Sequence, residues 1–263
     1  MSTTSNPHAC ICLDSSVVIA DTVKNQGAQT RLGTIEKHRK KLNLDVYLPP
    51  TVRNECLKRI TQLFCYVGET LRNFEHEFRN LKNDSGILKD VTLEDLTFIQ
   101  DFFEKRISSL RRGMSEYDLL RNIEALVVNY LTESLDSVQS VEYAAFVTGI
   151  AIGINKISTA LHYELAAKVS SYKITTATIN QGLLKTLESD PTLKKIAKKP
   201  NDLQIICEVE AHQRTIKKWS ILTTLDKNDF LDNSARIETV ANVVCADPLY
   251  LPRVIQRLSS KPI

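Results

Sequence analysis

The sequence predicts an α/β fold: a central parallel sheet covered by helices, interrupted by a large α-helical insertion. Two observations predict it. Short apolar, β-like runs alternate with helical patterns near both ends of the chain, and that alternation is what a parallel sheet with covering helices requires. Between them, from about Cys65 to Glu188, helical periodicity continues almost without a break. The expected organisation is a discontinuous core at 8-64 and 189-263, with the insertion at 65-188.

The first element is ACICLDSSVVIA, residues 9–20. It reads as a buried strand, a polar turn at Asp14, Ser15 and Ser16, and a helix start. A helical stretch follows with a basic cluster, Lys37, Arg39, Lys40 and Lys41. DVYL at residues 45–48 is a second short strand, and Pro49-Pro50 ends it and opens a helix carrying Glu55. Inside the insertion, Thr92-x-x-Asp95 has the spacing of a capping box, and Ser115-x-x-Asp118 opens another helix that Met114 can staple to Leu119. Residues 138–154 are apolar nearly all round, with Gly149-x-x-x-Gly153, which predicts a buried, closely packed core helix. Helices are expected at residues 162–172 and 176–188. Asp202 begins a further helix, SILTTL at residues 220–225 reads as a strand followed by Asp226, and IETVANVVC at residues 237–245 is the last β-like run.

Composition bounds the function. At 263 residues, 43% apolar and 25% charged, the chain matches a soluble globular protein large enough to bury a core. No run of about 18 apolar residues is evident, so no transmembrane helix and no membrane partner are expected. The opening MSTTSNPHAC lacks the layout of a secretory signal and reads as a frayed tail. Cys10, Cys12, Cys56, Cys65, Cys207 and Cys245 mostly sit in apolar runs, as small hydrophobes in a reducing cytoplasm. Cys10-x-Cys12 has no matching downstream pair, and the five histidines show no ligand spacing, which argues against zinc. A net charge of +3 permits a nucleic-acid partner without requiring one.

Acids at strand ends are where chemistry is expected. In open α/β sheets, ligands bind outside the carboxyl ends of the strands. Asp14 follows one apolar strand and Asp226 follows another, while Glu55 and Asp202 lie near the starts of helices that feed the same edge. Carboxylates gathered there repel one another unless a cation neutralises them, and hard oxygen donors select Mg²⁺ or Mn²⁺. Each acid also has a plainer reading: Asp14 and Asp202 as helix caps, Glu55 as a solvated helix residue, Asp226 and Asp229 as turn formers, Glu208 and Glu210 as structural or exposed.

Four segments, LDSSVVI, LPPTVRNEC, NDLQIICEVEA and TTLDKNDF, together with the terminal VVCADPLYL, resemble those of PIN-domain nucleases in content and order. The resemblance implies a PIN-like three-layer domain with a central parallel sheet. It implies Asp14, Glu55, Asp202 and Asp226 as catalytic metal-binding acids, with Ser16, Thr224 and Asp229 in support. The activity implied is metal-dependent endoribonuclease cleavage, using water activated by Mg²⁺ or Mn²⁺. RNA is then the substrate, and a small antitoxin or a second copy of the chain are the partner classes left open. A non-catalytic RNA-binding scaffold and a structure-specific DNA nuclease remain as alternatives. The departure from the pattern is the long helical section between Glu55 and Asp202. Lys194, Lys195, Lys198 and Lys199 before Asp202, and Lys217 and Lys218 before the strand leading to Asp226, read as solvated faces or as guides for a phosphate backbone.

Overall fold

The computed structural model describes residues 9–24, 26–110, 114–193 and 196–261. In chain order the elements are β1 (Ala9–Leu13), α1 (Ser15–Thr22), α2 (Gln26–Leu42), β2 (Val46–Leu48), α3 (Pro50–Lys82), β3 (Asn83–Asp84), β4 (Ile87–Leu88), α4 (Leu96–Ile107), α5 (Ser115–Leu135), α6 (Tyr143–Ser171), β5 (Lys173–Ile174), α7 (Gln181–Ser189), α8 (Pro200–Ile216), β6 (Trp219–Thr223), α9 (Ser234–Ala241), β7 (Val244–Ala246) and α10 (Leu251–Leu258). The fold is α/β. Five strands form one sheet in the order β5-β2-β1-β6-β7, and every pairing is parallel.

The sheet explains the sequence of its central strand. All five residues of β1 are buried, which is why ACICL is apolar throughout instead of alternating. β1 pairs along its length with β6, from Ala9 opposite Trp219 to Leu13 opposite Thr223, and on its other side with β2 through Ile11 and Cys12. The helix α8 ties neighbouring elements together. Its His212 ring lies 4.2 Å from the Tyr47 ring of β2. Its Gln213 accepts the Ser220 N–H of β6 and donates to the Asn242 carbonyl that ends α9. Its Glu208 accepts both the backbone N–H and the hydroxyl of Thr51, so a buried carboxylate sits on the positive first turn of α3. Glu208 is therefore structural.

The chain divides into two compact units. The first comprises the residues up to Asp21, Ala28–Lys58 and Leu165 onward; the second comprises Thr22–Gly27 and Arg59–Glu164. These boundaries differ from the expected 64/65 and 188/189. One helix, α3, runs uninterrupted through residue 65. At the other end, β5 joins the sheet beside β2, with Tyr47 opposite Lys173 and Leu48 opposite Ile174. Asp190, just after α7, is gripped by Arg236 of α9 at 2.6 and 2.9 Å. Residues 165–188 thus belong with the sheet.

The second unit is helical, with one short antiparallel hairpin, β3–β4. Its core is aromatic: Phe74, Phe78, Phe102, Phe103 and Phe146 are buried, with ring centroids 5.2 Å apart for Phe74 and Phe102 and 5.8 Å for Phe78 and Phe146. Asp95 accepts the Thr92 N–H at 2.8 Å, completing the expected box, and pairs with buried Lys82 at 2.9 Å. Met114 is 38% exposed and is itself the N-cap of α5, one residue later than a hydrophobic staple requires.

Two further expectations change. IETVANVVC is mostly helical: α9 occupies Ser234–Ala241, Asn242 ends it in the left-handed conformation (φ 54), and only Val244–Ala246 is strand. The 138–154 run is not buried all round. Its helix α6 begins at Tyr143 and buries one stripe in the second unit, Tyr143, Phe146, Ile150 and Ile154, while Ile152 is 52% exposed. An 18-residue window of α6 has a mean hydropathy of 1.4 with 17% of it buried, so by length and composition this helix reaches the requirement for a membrane span.

Candidate active site at the carboxyl edge of the sheet

From β1 the chain adds strands in one direction, β2 then β5, and later in the other, β6 then β7. The order therefore reverses between β1 and β6. At such a switch point the loops leaving adjacent parallel strands diverge and open a crevice at their carboxyl ends. Asp14 and Thr224 are the residues that leave β1 and β6 there. The Asp14 N–H donates to the Thr223 carbonyl and the Thr224 N–H to the Ala246 carbonyl, each at 3.0 Å, so the ladder carries both side chains to the crevice rim.

Asp14 is 3% exposed. Its Oδ2 accepts the Ser16 hydroxyl at 2.5 Å, the Thr224 hydroxyl at 2.8 Å and the Ser16 N–H at 3.3 Å. The last of these is a capping contact, so Asp14 starts α1 and faces the crevice at once. Burial raises its carboxyl above the usual carboxylate range, the Ser16 and Thr224 donors oppose that, and the charge of Glu55 adds to it. Ser16 also accepts the Leu225 N–H, and Thr224 accepts the Asp226 N–H, so both hydroxyls brace the loop after β6 as well as Asp14.

Glu55, on α3, is anchored at both oxygens. The Ser15 hydroxyl donates to Oε2 at 3.0 Å and the Asn201 amide to Oε1 at 2.9 Å. Asp202 lies in the first turn of α8, where Pro200 pre-sets the helix start. Its Oδ2 is buried and has no hydrogen-bond partner. Burial pushes the Asp202 carboxyl up to about 7 against the pull of Lys199, and the charges of Asp14, Asp229 and Glu55 push the same way. Asp14, Glu55 and Asp229 therefore all act electrostatically on Asp202.

Asp226 accepts the Asp229 N–H at 3.0 Å and opens a single π-helical turn, Lys227–Leu231. Its carboxyl is raised by burial, with the Asp229 N–H lowering it and the Asp229 charge raising it. Asp229, 6% exposed, is in direct ion-pair contact with the Lys199 ammonium, which also lies 4.0 Å from Asp202 Oδ2.

The donor chemistry suits a hard divalent cation, and Asp202 Oδ2 is a buried oxygen left for one. Among the described residues, no three His, Cys, Asp or Glu side chains are grouped as a ready-made metal cage. Two of the acids, Asp229 and Asp202, face the Lys199 ammonium instead.

The lysines separate by position. Lys199 is in the acidic site. Lys198 is exposed in the turn before α8, and Lys194 and Lys195 lie outside the described residues. Lys217 and Lys218 precede β6, as expected, whereas Asp226 follows it. In a parallel strand of five residues that separates them by roughly 16 Å. They sit at the amino edge of the sheet, the acids at its carboxyl edge. Sequence reasoning did not single out Ser15 and Asn201 as partners of Glu55. Their signals were present, each beside an acid already chosen, but neither residue type points to a carboxylate without the fold.

No protein-family model matches the chain, and no curated protein or solved structure matches it.

Proposed function

We propose that the chain is a metal-dependent nuclease of PIN-like architecture that hydrolyses RNA phosphodiester bonds at the crevice between β1 and β6. One observation carries the reading: the charges of Asp14, Glu55 and Asp229 all act on Asp202 at the switch point, Asp226 is tied to Asp229 by accepting its N–H, and the buried Asp202 Oδ2 has no hydrogen-bond partner. Placing several acids there lowers stability, and a cation-dependent activity accounts for the arrangement. Asp14 and Glu55 are held by hydroxyl and amide donors, which fixes their orientation as preorganised ligands. Mg²⁺ or Mn²⁺ held by Asp14, Glu55, Asp202 and Asp226 would supply an acidified water and screen the charge of an in-line displacement. Asp229 supports Asp226 through its backbone N–H. The free cysteines fit a cytoplasmic setting, and a small antitoxin or a second copy of this chain fits as partner.

A second reading has one observation in its favour. Lys199 already neutralises part of the acid cluster, as in a fold kept for binding RNA without cleaving it. Labelled single-stranded RNA incubated with Mn²⁺ and purified protein, beside Asp14→Asn, separates the two. Cleavage by the wild type that falls about 100-fold or more in the variant supports the enzyme. Equal cleavage by both proteins marks a contaminant and removes the claim. RNA bound but left intact favours the scaffold, and cleavage confined to branched DNA moves the substrate class.

A further inference from the structure

Resting on that metal-site reading, we propose that Lys199 is a built-in counter-cation that occupies the acid cluster until a divalent ion displaces it. The ammonium contacts Asp229 and lies 4.0 Å from Asp202 Oδ2, an oxygen with no hydrogen bond, so it faces two acids that a cation at the site would share. The two sides of the contact are unequal. The side chains of Asp229 and Asp202 are 8% and 15% exposed, while that of Lys199 is 54% exposed. The acids are fixed by packing, and the lysine reaches them on a flexible stem from the solvent side.

Lys199 also stands immediately before Pro200, outside the regular turns of α8. Its head can swing into water without unravelling the helix. A doubly charged ion gains more from the same acids than a single ammonium does, since attraction scales with the product of the charges. Displacement is therefore favourable above a threshold of free metal, and below it the lysine keeps the buried acids apart in charge.

The test is calorimetric titration with Mn²⁺ alone, with no nucleic acid, on the full chain. Lys199→Met removes the ammonium and keeps most of the stem, Lys199→Gln is a second neutral variant should the first fail to fold, and Lys199→Arg keeps the charge. The expected result is Mn²⁺ binding about tenfold tighter in the neutral variants, equivalent to ~1.4 kcal/mol. Their metal-free unfolding midpoint should fall, and Lys199→Arg should stay near the wild type in both measurements. A purely structural lysine would lower the midpoint and leave Mn²⁺ affinity unchanged or weaker. That outcome, with Mn²⁺ still binding the wild type, overturns the proposal alone. No Mn²⁺ binding by any of the proteins overturns it together with the metal-site reading.

Discussion

A carboxylate in the position of Asp202 costs the fold something that depends on pH. Its carboxyl is pushed up to about 7 by burial and by the charges of Asp14, Asp229 and Glu55, with Lys199 pulling the other way. An unfolded aspartate titrates near ~3.9. A folded value above the unfolded one contributes stability that is complete below about 4 and is lost as pH rises through about 7. In the presence of chelator, Asp202→Asn should therefore gain thermal stability relative to the wild type as pH rises from 4 to 8. Unfolding midpoints measured across that range check it, and a gap that stays constant or narrows with rising pH would show that Asp202 is not held protonated. The sequence made Asp202 legible as an acid at a helix start. It did not make Lys199 legible as its neighbour, because a lysine in a basic run looks the same whether it meets solvent or a carboxylate. Only the turn before α8 and the π-helical turn after β6 decide which.

Among elements, α6 shows how periodicity can mislead. Ala144, Ala145, Ala151 and Ile152 lie on its exposed face, so the run looks uniformly apolar although only one stripe is buried. The glycines matter for packing, not for turning. A Cβ at Gly149 would lie 2.0 Å from the Tyr130 hydroxyl oxygen and 2.1 Å from its ring carbon Cζ, whereas at Gly153 the nearest atom is Leu126 Cδ1 at 3.1 Å. Gly149→Ala should destabilise the protein by about 1–3 kcal/mol, the usual cost of overpacking. Gly153→Ala should cost less, since Leu126 needs to yield only slightly. Urea unfolding of both variants measures this, and equal effects would remove the close approach of Tyr130 as the cause. β1 was legible because burial on both faces leaves it apolar throughout, and β2 and β6 because they are short runs rich in apolar, aromatic and β-branched residues. β5 was not, because two residues at the sheet edge, Lys173 exposed and Ile174 half-buried, carry no pattern to read. Residues 237–241 were misread because β-branched residues appear in α9 at helical spacing.

For the whole molecule, connectivity decides where stability resides. β1 is paired on both sides and buried throughout, whereas β5 is paired only with β2. Hydrogen exchange should accordingly find the backbone amides of Ile11, Cys12 and Leu13 among the slowest in the protein and those of Lys173 and Ile174 among the fast ones. Comparable rates in β1 and β5 would contradict the sheet order. The α/β class and the acidic edge could be foreseen because strand ends are marked by Asp14 and Asp226. The division of the chain could not, since α3 passes from one unit into the other without any change in its helical pattern. The pairing of β1 with β6 also has a consequence in time. Thr224 stands 210 residues after Asp14, and at about 5–20 residues per second a ribosome needs roughly 10–40 s to make that stretch. Throughout that interval one edge of β1 has no native neighbour, so the growing polypeptide offers chaperones a sticky apolar strand. A nuclease site built across that seam would stay incomplete during translation and could not attack the messenger being read, so the activity would arise only once β6 had emerged.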